Sequence, residues 1–233
     1  MSRRIAALAA ASGVAVLIAL PSSALALSGG ATRRCYSHLP TKGSEPLTVQ
    51  LSGGTPGADY IVSATVPGKG LGSAGSVDGT FDAAGNALAQ IPDVFPPNGT
   101  IDPTRGQKVD LSVADYGAGG TDVPLGDTLI TNIALDVANK PTAPTARRAI
   151  TVSGSPFAGK RVYGFVVKGS KSSRVVRRIP LGSGNVCGYA SAKQAVVAPH
   201  YALGTYRLYV NAGKKLNKSR ALAYQFSITR HYL

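Results

Sequence analysis

The sequence predicts an all-β fold that is divided into two tandem β-sandwich domains. Short runs in which Val, Thr and Tyr alternate with other residues recur roughly every 8 to 14 residues, which is the strand spacing of a sandwich. Turn-forming residues separate these runs, and the chain contains 28 Gly and 15 Pro. Runs of Leu, Glu and Lys that would favour helices are missing. Composition and spacing therefore both favour strands.

Each predicted strand is one of these alternating runs, bounded by Gly, Pro, Asn or Asp. In the first half of the chain we predict strands at 47–51, 60–66, 86–91, 107–114 and 128–137. In the second half we predict strands at 149–154, 161–168, 174–179, 193–197, 205–211 and 222–230. The segment FDAAGN (81–86) predicts a hairpin turn, because Asp82 can accept hydrogen bonds from its own backbone and Gly85 can adopt a positive φ.

Residues 1–26 have the pattern of a cleaved secretory signal peptide. Arg3 and Arg4 precede an apolar core, and the residues at 24–26 match an A-x-A cleavage pattern, so we expect cleavage after Ala26. An uncleaved anchor is the alternative, but the apolar core is shorter than the span of about 20 residues that a membrane helix needs. No other segment is long and apolar enough to cross a membrane. We therefore expect a secreted chain, extracellular or associated with the cell surface.

A proline-rich segment, NKPTAPTARR (139–148), is the best candidate for a linker between the two domains. Two prolines three residues apart cannot lie in a central strand, and they favour an extended spacer. We therefore predict an acidic domain at 34–138, a linker at 139–147 and a basic domain at 148–233. Each domain is close to the size of one immunoglobulin-like domain.

The two predicted domains share a weak internal repeat. LTVQLSGGTPGADYIVSATV (47–66) aligns with AITVSGSPFAGKRVYGFVV (149–167) at an offset of about 102 residues. Each segment runs from an apolar-Thr-Val strand through Ser-Gly and a proline to a glycine, Gly57 or Gly159, before the next strand. The repeat supports a duplicated sandwich.

The chain resembles secreted bacterial proteins with tandem immunoglobulin-like domains. The resemblance lies in these two repeated segments, in the DAAGN turn and in GNVCGYAS around the second cysteine. The resemblance implies two immunoglobulin-like β-sandwiches in an exported chain. Its motifs are turn motifs, so it implies no activity and no site.

The chain has two cysteines, Cys35 and Cys187. An even number of cysteines in an exported chain favours a disulfide, because the compartment is oxidising. The alternative is two free or intermolecular thiols. A bridge between residues 152 positions apart would stabilise the fold by about 5 kcal/mol in the chain-entropy model.

Charge is segregated between the two halves of the chain. Residues 27–138 contain 6 Lys and Arg and all 11 acidic residues, whereas residues 139–233 contain 17 Lys and Arg and no Asp or Glu. A domain without a carboxylate cannot by itself perform glycosidase chemistry or form a Ser-His-Asp set. Its charge favours two compatible interpretations, docking on an external polyanion and contact with the acidic first domain.

Two segments resemble nucleotide-binding loops but lack the required context. GSPFAGKR (154–161) has Arg161 where a phosphate-binding loop needs Ser or Thr, and a strand-like run follows it instead of a helix. GLGSAG (70–75) precedes no helical pattern, and we interpret it as a flexible loop. Neither segment predicts a nucleotide site.

No catalytic or metal-binding set is visible in the sequence. His38, His200 and His231 are scattered and lack the spacing of metal ligands. We therefore expect no enzymatic activity, no cofactor and no metal. An enzyme would need a deep pocket at the domain junction, lined by acids of the first domain and by His38 or His200.

The chain is therefore expected to be a secreted, non-enzymatic binding or surface-associated module. Its basic domain would adhere to an anionic polymer such as cell-wall polymer, acidic glycan or lipid head groups. The charges are densest in KGSKSSRVVRR (168–178), which we interpret as a hairpin loop and its returning strand. The candidate contacts are Lys168, Lys171, Arg174, Arg177, Arg178, Lys214, Lys215, Lys218 and Arg220. The alternative is a structural or assembly module whose partner is protein, and the sequence leaves the oligomeric state open.

Sequence-specific nucleic-acid binding is not expected, because no standard docking motif is present. A platform of stacked tyrosines is not expected either. Tyr206, Leu208 and Val210 face one side of a strand, and Arg207 and Tyr209 face the other. This pattern is typical of a half-buried strand with a core side and a surface side.

Overall fold

The computed structural model describes residues 26–38, 45–68, 73–92, 94, 101, 104–140, 143–169 and 174–229. These residues form fifteen β-strands and three 3-10 turns, so the predicted all-β fold is confirmed. None of these helical turns is long or apolar enough to span a membrane. Apart from Ala26, the predicted signal peptide lies outside the described residues, as do Lys171 and His231.

The first β-sandwich contains the first eight strands of the chain. They are β1 (Ser28–Ala31), β2 (Cys35–His38), β3 (Leu47–Ser52), β4 (Asp59–Thr65), β5 (Ser73–Thr80), β6 (Ala87–Ile91), β7 (Gln107–Asp115) and β8 (Asp122–Asn132). A three-stranded sheet in the order β1-β3-β6 faces a five-stranded sheet in the order β2-β8-β7-β4-β5. β2 is parallel to β8, and the other pairings are antiparallel.

The second β-sandwich contains the remaining seven strands. They are β9 (Ala134–Val137), β10 (Arg148–Ser153), β11 (Arg161–Lys168), β12 (Val175–Ser183), β13 (Ala190–Gln194), β14 (Gly204–Ala212) and β15 (Leu222–Ile228). A three-stranded sheet in the order β13-β10-β9 faces a four-stranded sheet in the order β12-β11-β14-β15. All of these pairings are antiparallel.

The second sandwich repeats the strand connections of the first. β3 pairs with β6 as β10 pairs with β13, and β4 lies between β5 and β7 as β11 lies between β12 and β14. β1 and β9 occupy the same place beside β3 and β10, and β2 is an addition to the first sandwich. This Greek-key order is that of an immunoglobulin-like sandwich, and it confirms the internal repeat.

One turn recurs in both sandwiches and supports the repeat at the level of single atoms. Asp82 Oδ1 accepts hydrogen bonds from the backbone N–H groups of Ala84 and Asn86, as predicted, at 2.8 Å each. Asn185 Oδ1 accepts in the same way from Cys187 and Tyr189, at 2.9 Å each. Each turn is thus closed by one acceptor side chain.

Each sandwich has an apolar core because its strands alternate between buried and exposed side chains. In the first sandwich Leu47, Val49 and Leu51 of β3 are at most 1% exposed, whereas the residues between them are not buried. In the second sandwich Leu208 and Val210 of β14 are fully buried, in the core between its two sheets. The two core clusters share no residue among those described.

Three strands of the first sandwich lack the pattern on which the prediction depended. β1 (SGGA) and β5 (SAGSVDGT) are rich in Gly and Ser, and β2 (CYSH) is short. β1 and β5 depend mainly on backbone pairing with neighbouring strands, whereas β2 pairs with β8 and also buries Tyr36 in the core. The prediction of a flexible loop at 70–75 is wrong for 73–75, which lie in β5.

The predicted strand at 128–137 is in fact two strands. β8 ends at Asn132 and stays in the first sandwich, whereas β9 begins at Ala134 and pairs with β10. A single residue, Ile133, separates the two strands. The apolar-polar pattern continues through it, so the sequence does not show where the chain leaves one sandwich and enters the other.

Candidate polyanion-binding surface

The second sandwich carries almost only positive charge. Because β9 pairs with β10, Asp136 becomes part of this sandwich. Residues 134–233 therefore contain 17 Lys and Arg and one Asp. Asp136 lies in the three-stranded sheet, whereas most of the candidate basic residues belong to the four-stranded sheet and its loops. The described part of the four-stranded sheet thus carries no carboxylate.

The candidate basic residues form two groups at opposite ends of the four-stranded sheet. Lys168 and Arg174 flank the connection between β11 and β12. The other group lies in the loop between β14 and β15 and consists of Lys214, Lys215, Lys218 and Arg220. Lys168 opposes Tyr206 near the start of β14, whereas the β14–β15 loop begins after Ala212, the last residue of β14. The two groups are separated by the length of β11, about 25 Å.

Arg177 and Arg178 point to opposite faces of β12. Arg178 opposes Phe165, and its guanidinium carbon lies 5.3 Å from the centre of the Tyr163 ring on the outer face of the sheet. Arg177 opposes Val166, which belongs to the core between the two sheets. Arg177 therefore lies on the inner face at the sheet edge, and one flat surface cannot use both arginines.

Arg177 has a neighbour inside its own sandwich. The positive charge of Arg177 acts on Tyr201, whose buried hydroxyl has no hydrogen-bond partner among the described residues and whose ring stacks on Tyr206 with ring centres 5.2 Å apart. Burial raises the pKa of Tyr201, and the positive charge of Arg177 opposes part of that shift.

A third apolar cluster lies on the outer face of β11 and β14. Its members are at most 9% exposed, and they are Tyr163, Phe165, Val167 and Tyr209. Leu216 and Ala221 of the β14–β15 loop pack against them. The prediction that Tyr209 faces solvent is wrong, because this loop folds back over the sheet and covers it. Lys218 Nζ also lies 5.6 Å from the centre of the Tyr209 ring.

The β14–β15 loop is held in place by the buried side chain of Asn211. Asn211 Nδ2 donates to the carbonyl oxygens of Ala212 at 2.8 Å and Lys215 at 3.1 Å. Asn211 Oδ1 accepts from the backbone N–H of Asn217 at 3.1 Å. The N–H of Gly213 donates to the Arg161 carbonyl at 2.9 Å, which ties the loop to the start of β11. The basic side chains of the loop therefore stand on a fixed backbone.

The loop and the turn before β11 enclose an open cleft of about 500 Å³. Four basic side chains line it, and they are Lys160, Arg161, Lys214 and Arg220. Lys160 Nζ also donates to the Pro156 carbonyl at 3.3 Å. Among the described residues no carboxylate lines the cleft. The chemistry of this lining is that of an anion site.

Lys160 and Arg161 were not among the candidate residues. They belong to GSPFAGKR, a segment of the internal repeat that resembles a nucleotide-binding loop but lacks its context. The run after it is β11, as predicted, and β11 pairs with β14. The pairing brings Arg161 beside the loop that follows β14, and a contact between residues so far apart in sequence is not visible in local patterns.

The two sandwiches are joined by a disulfide and by neutral hydrogen bonds. Cys35 on β2 is bonded to Cys187 in the turn before β13, so the predicted bridge is confirmed. Ser153 Oγ donates to the Asn132 carbonyl at 2.7 Å, and Asn185 Nδ2 donates to the Thr104 carbonyl at 2.9 Å. These junction contacts use no charge of either half.

Ion pairs occupy several charged groups within the first sandwich. Arg33 pairs with Glu45 at 2.6 Å, and Lys108 pairs with Asp110 at 3.2 Å and Asp127 at 3.0 Å. Asp110 and Asp127 oppose each other on β7 and β8, and Lys108 bridges them. These three acids thus have their ion-pair partners within the first sandwich.

The described histidines lie apart. His38 ends β2, and its carbonyl accepts from the Ile133 N–H at 3.0 Å, whereas the His200 ring lies edge-on to Tyr201. A cleft near the junction is lined by Arg34, Asp127 and Val186 among others, but by neither histidine. Within the described residues, no three His, Cys, Asp or Glu side chains form a group that could hold a metal.

The fold and the cleft define a protein of two disulfide-linked β-sandwiches, the second of which has a cleft lined by four basic side chains. No protein-family model matches the chain, and no match is found among curated proteins. A red sea bream transglutaminase is similar at 9% identity and a TM-score of 0.31, with 89% of this chain and 32% of that chain covered. This chain therefore spans about a third of that structure.

The periplasmic chaperone SfaE is similar at 10% identity and a TM-score of 0.29, with 85% of this chain and 96% of that chain covered. Similarities at this level carry no argument about function.

Proposed function

We propose that the chain is an exported, non-enzymatic binding module whose second sandwich adheres to an anionic polymer, such as a cell-envelope polymer, an acidic glycan or a layer of lipid head groups. The observation that carries the proposal is the charge of the second sandwich, with 17 Lys and Arg against one Asp in residues 134–233. Such a surface attracts polyanions over distances of about 10 Å at moderate salt.

The arrangement at the junction supports an external rather than an internal partner. Glu45, Asp110 and Asp127 are paired within the first sandwich, and the described hydrogen bonds that cross the junction join neutral groups. The loop that carries Lys214, Lys215 and Arg220 follows β14, and its contacts are with the second sandwich. The positive surface is therefore available to a polymer.

The disulfide and the signal-peptide pattern support export. A bridge between Cys35 and Cys187 is stable in an oxidising compartment and rare in a reducing one. An anionic polymer of the envelope or of the extracellular matrix is the partner that such a compartment offers to a basic protein.

The test is the salt dependence of binding by residues 27–233 with the disulfide formed. We expect retention on immobilised heparin and on purified envelope polymer, with a binding constant that falls at least about tenfold between about 50 and about 200 mM salt. Neutral dextran on the same support is the control. The absence of retention on both polyanions at low salt would overturn the proposal.

The second candidate function is a structural or assembly module whose partner is protein. The observation that favours it is the exposure of Val175 and Val176, at 37% and 42%, on the edge strand β12. An edge strand with exposed apolar side chains can pair with another chain. Sedimentation at increasing concentration tests it, since self-association at high salt would favour assembly over adhesion.

A further inference from the structure

We infer that the cleft between the β14–β15 loop and the turn before β11 seats an acidic group, phosphate or carboxylate, of a sugar polymer. The inference rests on the proposed function and deepens it, because it assigns the binding of the anionic polymer to one defined site rather than to the overall positive charge. The cleft has a volume of about 500 Å³ and is open to solvent on one side. This size suits one or two sugar units of a chain that continues along the surface.

The charges around the cleft have no ion-pair partner among the described carboxylates. No described carboxylate pairs with Arg161, Lys214 or Arg220, and all three side chains belong to exposed residues. Three like charges around one cleft repel one another, and an anion between them removes that repulsion. Arginine matches phosphate and carboxylate with two parallel hydrogen bonds, and lysine adds a point charge.

The cleft is preorganised, since one of its walls is fixed by hydrogen bonds and the other by a buried side chain. One wall is the loop held by Asn211 and by the bond from Gly213 N–H to the Arg161 carbonyl. The other wall is the turn at Ser155–Phe157, in which Phe157 is 1% exposed and belongs to the core. A preformed site loses little conformational entropy when a ligand binds.

The chemistry of the cleft favours a glycan over a membrane. The exposed large apolar side chains of the described residues are Leu88, Tyr116, Val175, Val176, Val186 and Leu203, and none of them lines the cleft. A surface that enters a bilayer needs apolar side chains beside its basic ones. The large apolar side chains that do line the cleft, Phe157 and Tyr163, are buried, and the rest of its lining includes four cations and the amides of Asn211 and Asn217.

The same surface is unsuited to the bases of a nucleic acid. Single-stranded nucleic acid binds through aromatic rings on which bases stack. Tyr163 and Tyr209 are only 9% and 6% exposed, and the cations of Arg178 and Lys218 lie against their rings. A base therefore finds no free ring face beside the cleft.

The test compares a cleft variant with a matched control in residues 27–233 with the disulfide formed. The cleft variant is Arg161→Gln with Lys214→Gln. The control is Arg147→Gln with Lys193→Gln, which removes one Arg and one Lys from exposed positions of the same sandwich outside the cleft. The probes are tetragalacturonate for carboxylate, pentamannose phosphate for phosphate, and maltotetraose as the neutral oligosaccharide.

We expect the cleft variant to bind the preferred acidic oligosaccharide at least about tenfold more weakly, measured by calorimetry, and the control to change by less than about twofold. Comparison of the carboxylate and phosphate probes assigns the acidic group. Far-UV circular dichroism and the melting temperature test whether both variants fold. If the double variant in the cleft does not fold, Lys160→Gln replaces it as a single-site variant of the cleft.

Each contrary outcome has its own meaning. Equal loss in both variants would overturn the cleft and leave the general adhesion in place. A wild-type chain that binds no polyanion at all would overturn the proposed function as well. Cleft-dependent binding to phosphatidylglycerol vesicles or to oligothymidylate, without binding to either acidic sugar, would overturn the assignment of the ligand.

Discussion

The turn closed by one acceptor side chain depends on a single glycine in each sandwich. Gly85 and Gly188 both have φ of 75°, a left-handed conformation that disfavours any side chain with a Cβ. A Cβ at Gly188 would also collide with the carbonyl oxygen of Gly154. The positive φ of Gly85 was predicted from FDAAGN, because turn chemistry is local, whereas the close approach of Gly154 was not, since that contact is long-range.

We therefore expect Gly188→Ala to destabilise the protein by at least about 3 kcal/mol, as the left-handed strain of about 1–2 kcal/mol adds to a steric clash with backbone. Gly159→Ala is the matched control. Gly159 has φ of 65° and nothing within 4 Å of a Cβ, so it would pay only the strain. Urea unfolding measures both, and equal losses would contradict the role of the close contact.

A buried carboxylate, Asp115, should make stability depend on pH. Asp115 is 3% exposed, and it accepts from the Thr55 N–H at 2.8 Å and the Gly117 N–H at 2.9 Å. Burial acts to raise its pKa, but the hydrogen bonds prevail and hold the pKa below the ordinary 3.8. The stability that this carboxylate contributes is therefore complete above pH 3.8 and is lost as pH falls through the lower folded pKa.

The difference in unfolding free energy between wild type and Asp115→Asn isolates this contribution. We expect the difference to be constant above about pH 5 and to shrink below the ordinary pKa, because the unfolded state then binds the proton first. Chemical denaturation at a series of pH values measures it. A difference that is independent of pH down to acid unfolding would contradict the assignment to Asp115.

At the scale of elements, the loop between β14 and β15 combines a structural and a binding role. It covers the outer aromatic cluster and presents Lys214, Lys215 and Arg220 to solvent. Its position depends on Asn211, a buried amide that makes three hydrogen bonds to the loop. Loss of this amide would leave buried backbone groups without partners.

We expect Asn211→Ala to cost about 2 kcal/mol, because backbone groups of the loop lose their hydrogen-bond partners. Amide hydrogen exchange in 213–221 should accelerate with it. Asn217→Ala is the control, since the Asn217 side chain is exposed and, among the described residues, accepts a hydrogen bond from the exposed Ser219 Oγ at 2.8 Å, so its cost should stay within about 0.5 kcal/mol. Unchanged exchange in the Asn211 variant would show that the packing of Leu216 and Ala221 holds the loop alone.

Strands with alternating apolar residues could be predicted from the sequence. Strands that are held mainly by backbone pairing with their neighbours could not. β3, β4, β7, β11 and β14 each bury alternate side chains in a core, so their sequences show it. β1 and β5 are rich in Gly and Ser and add little to a core. The excess of positive charge in the second sandwich was predictable from the sequence. The cleft was not, because it forms only when β11 pairs with β14 and residues about 50 positions apart come together.

At the scale of the whole molecule, the disulfide connects two sandwiches that each have their own core. Cys187 is fully buried and Cys35 is 6% exposed, so reductants reach the bond with difficulty in the folded state. The pairing of these cysteines was predictable from their number and from the export signal. Their location at the junction between the sandwiches was not, because β2 was not recognised as a strand.

We expect Cys35→Ser with Cys187→Ser to lower the free energy of unfolding by about 2–5 kcal/mol, as the bond spans 152 residues and restricts the unfolded chain. Because the two cores are separate, the variant should unfold in two transitions when fluorescence and circular dichroism are followed in urea. Unfolding of the wild type in excess reductant is the control, and it should match the variant. Equal stability of the oxidised and reduced chains would contradict this expectation.

The same bond determines how the molecule would carry a mechanical load. If one end of the chain were held and the other pulled, tension would pass from Cys35 directly to Cys187 and bypass the 151 residues between them. About 500 Å of contour length would be withheld from extension. The strands between the two cysteines, β3 to β12, would lie outside the covalent load path, whereas β1 before the bond and β13, β14 and β15 after it would lie on it. A chain with this bond would extend less under a pulling force for as long as an oxidising environment kept the disulfide intact.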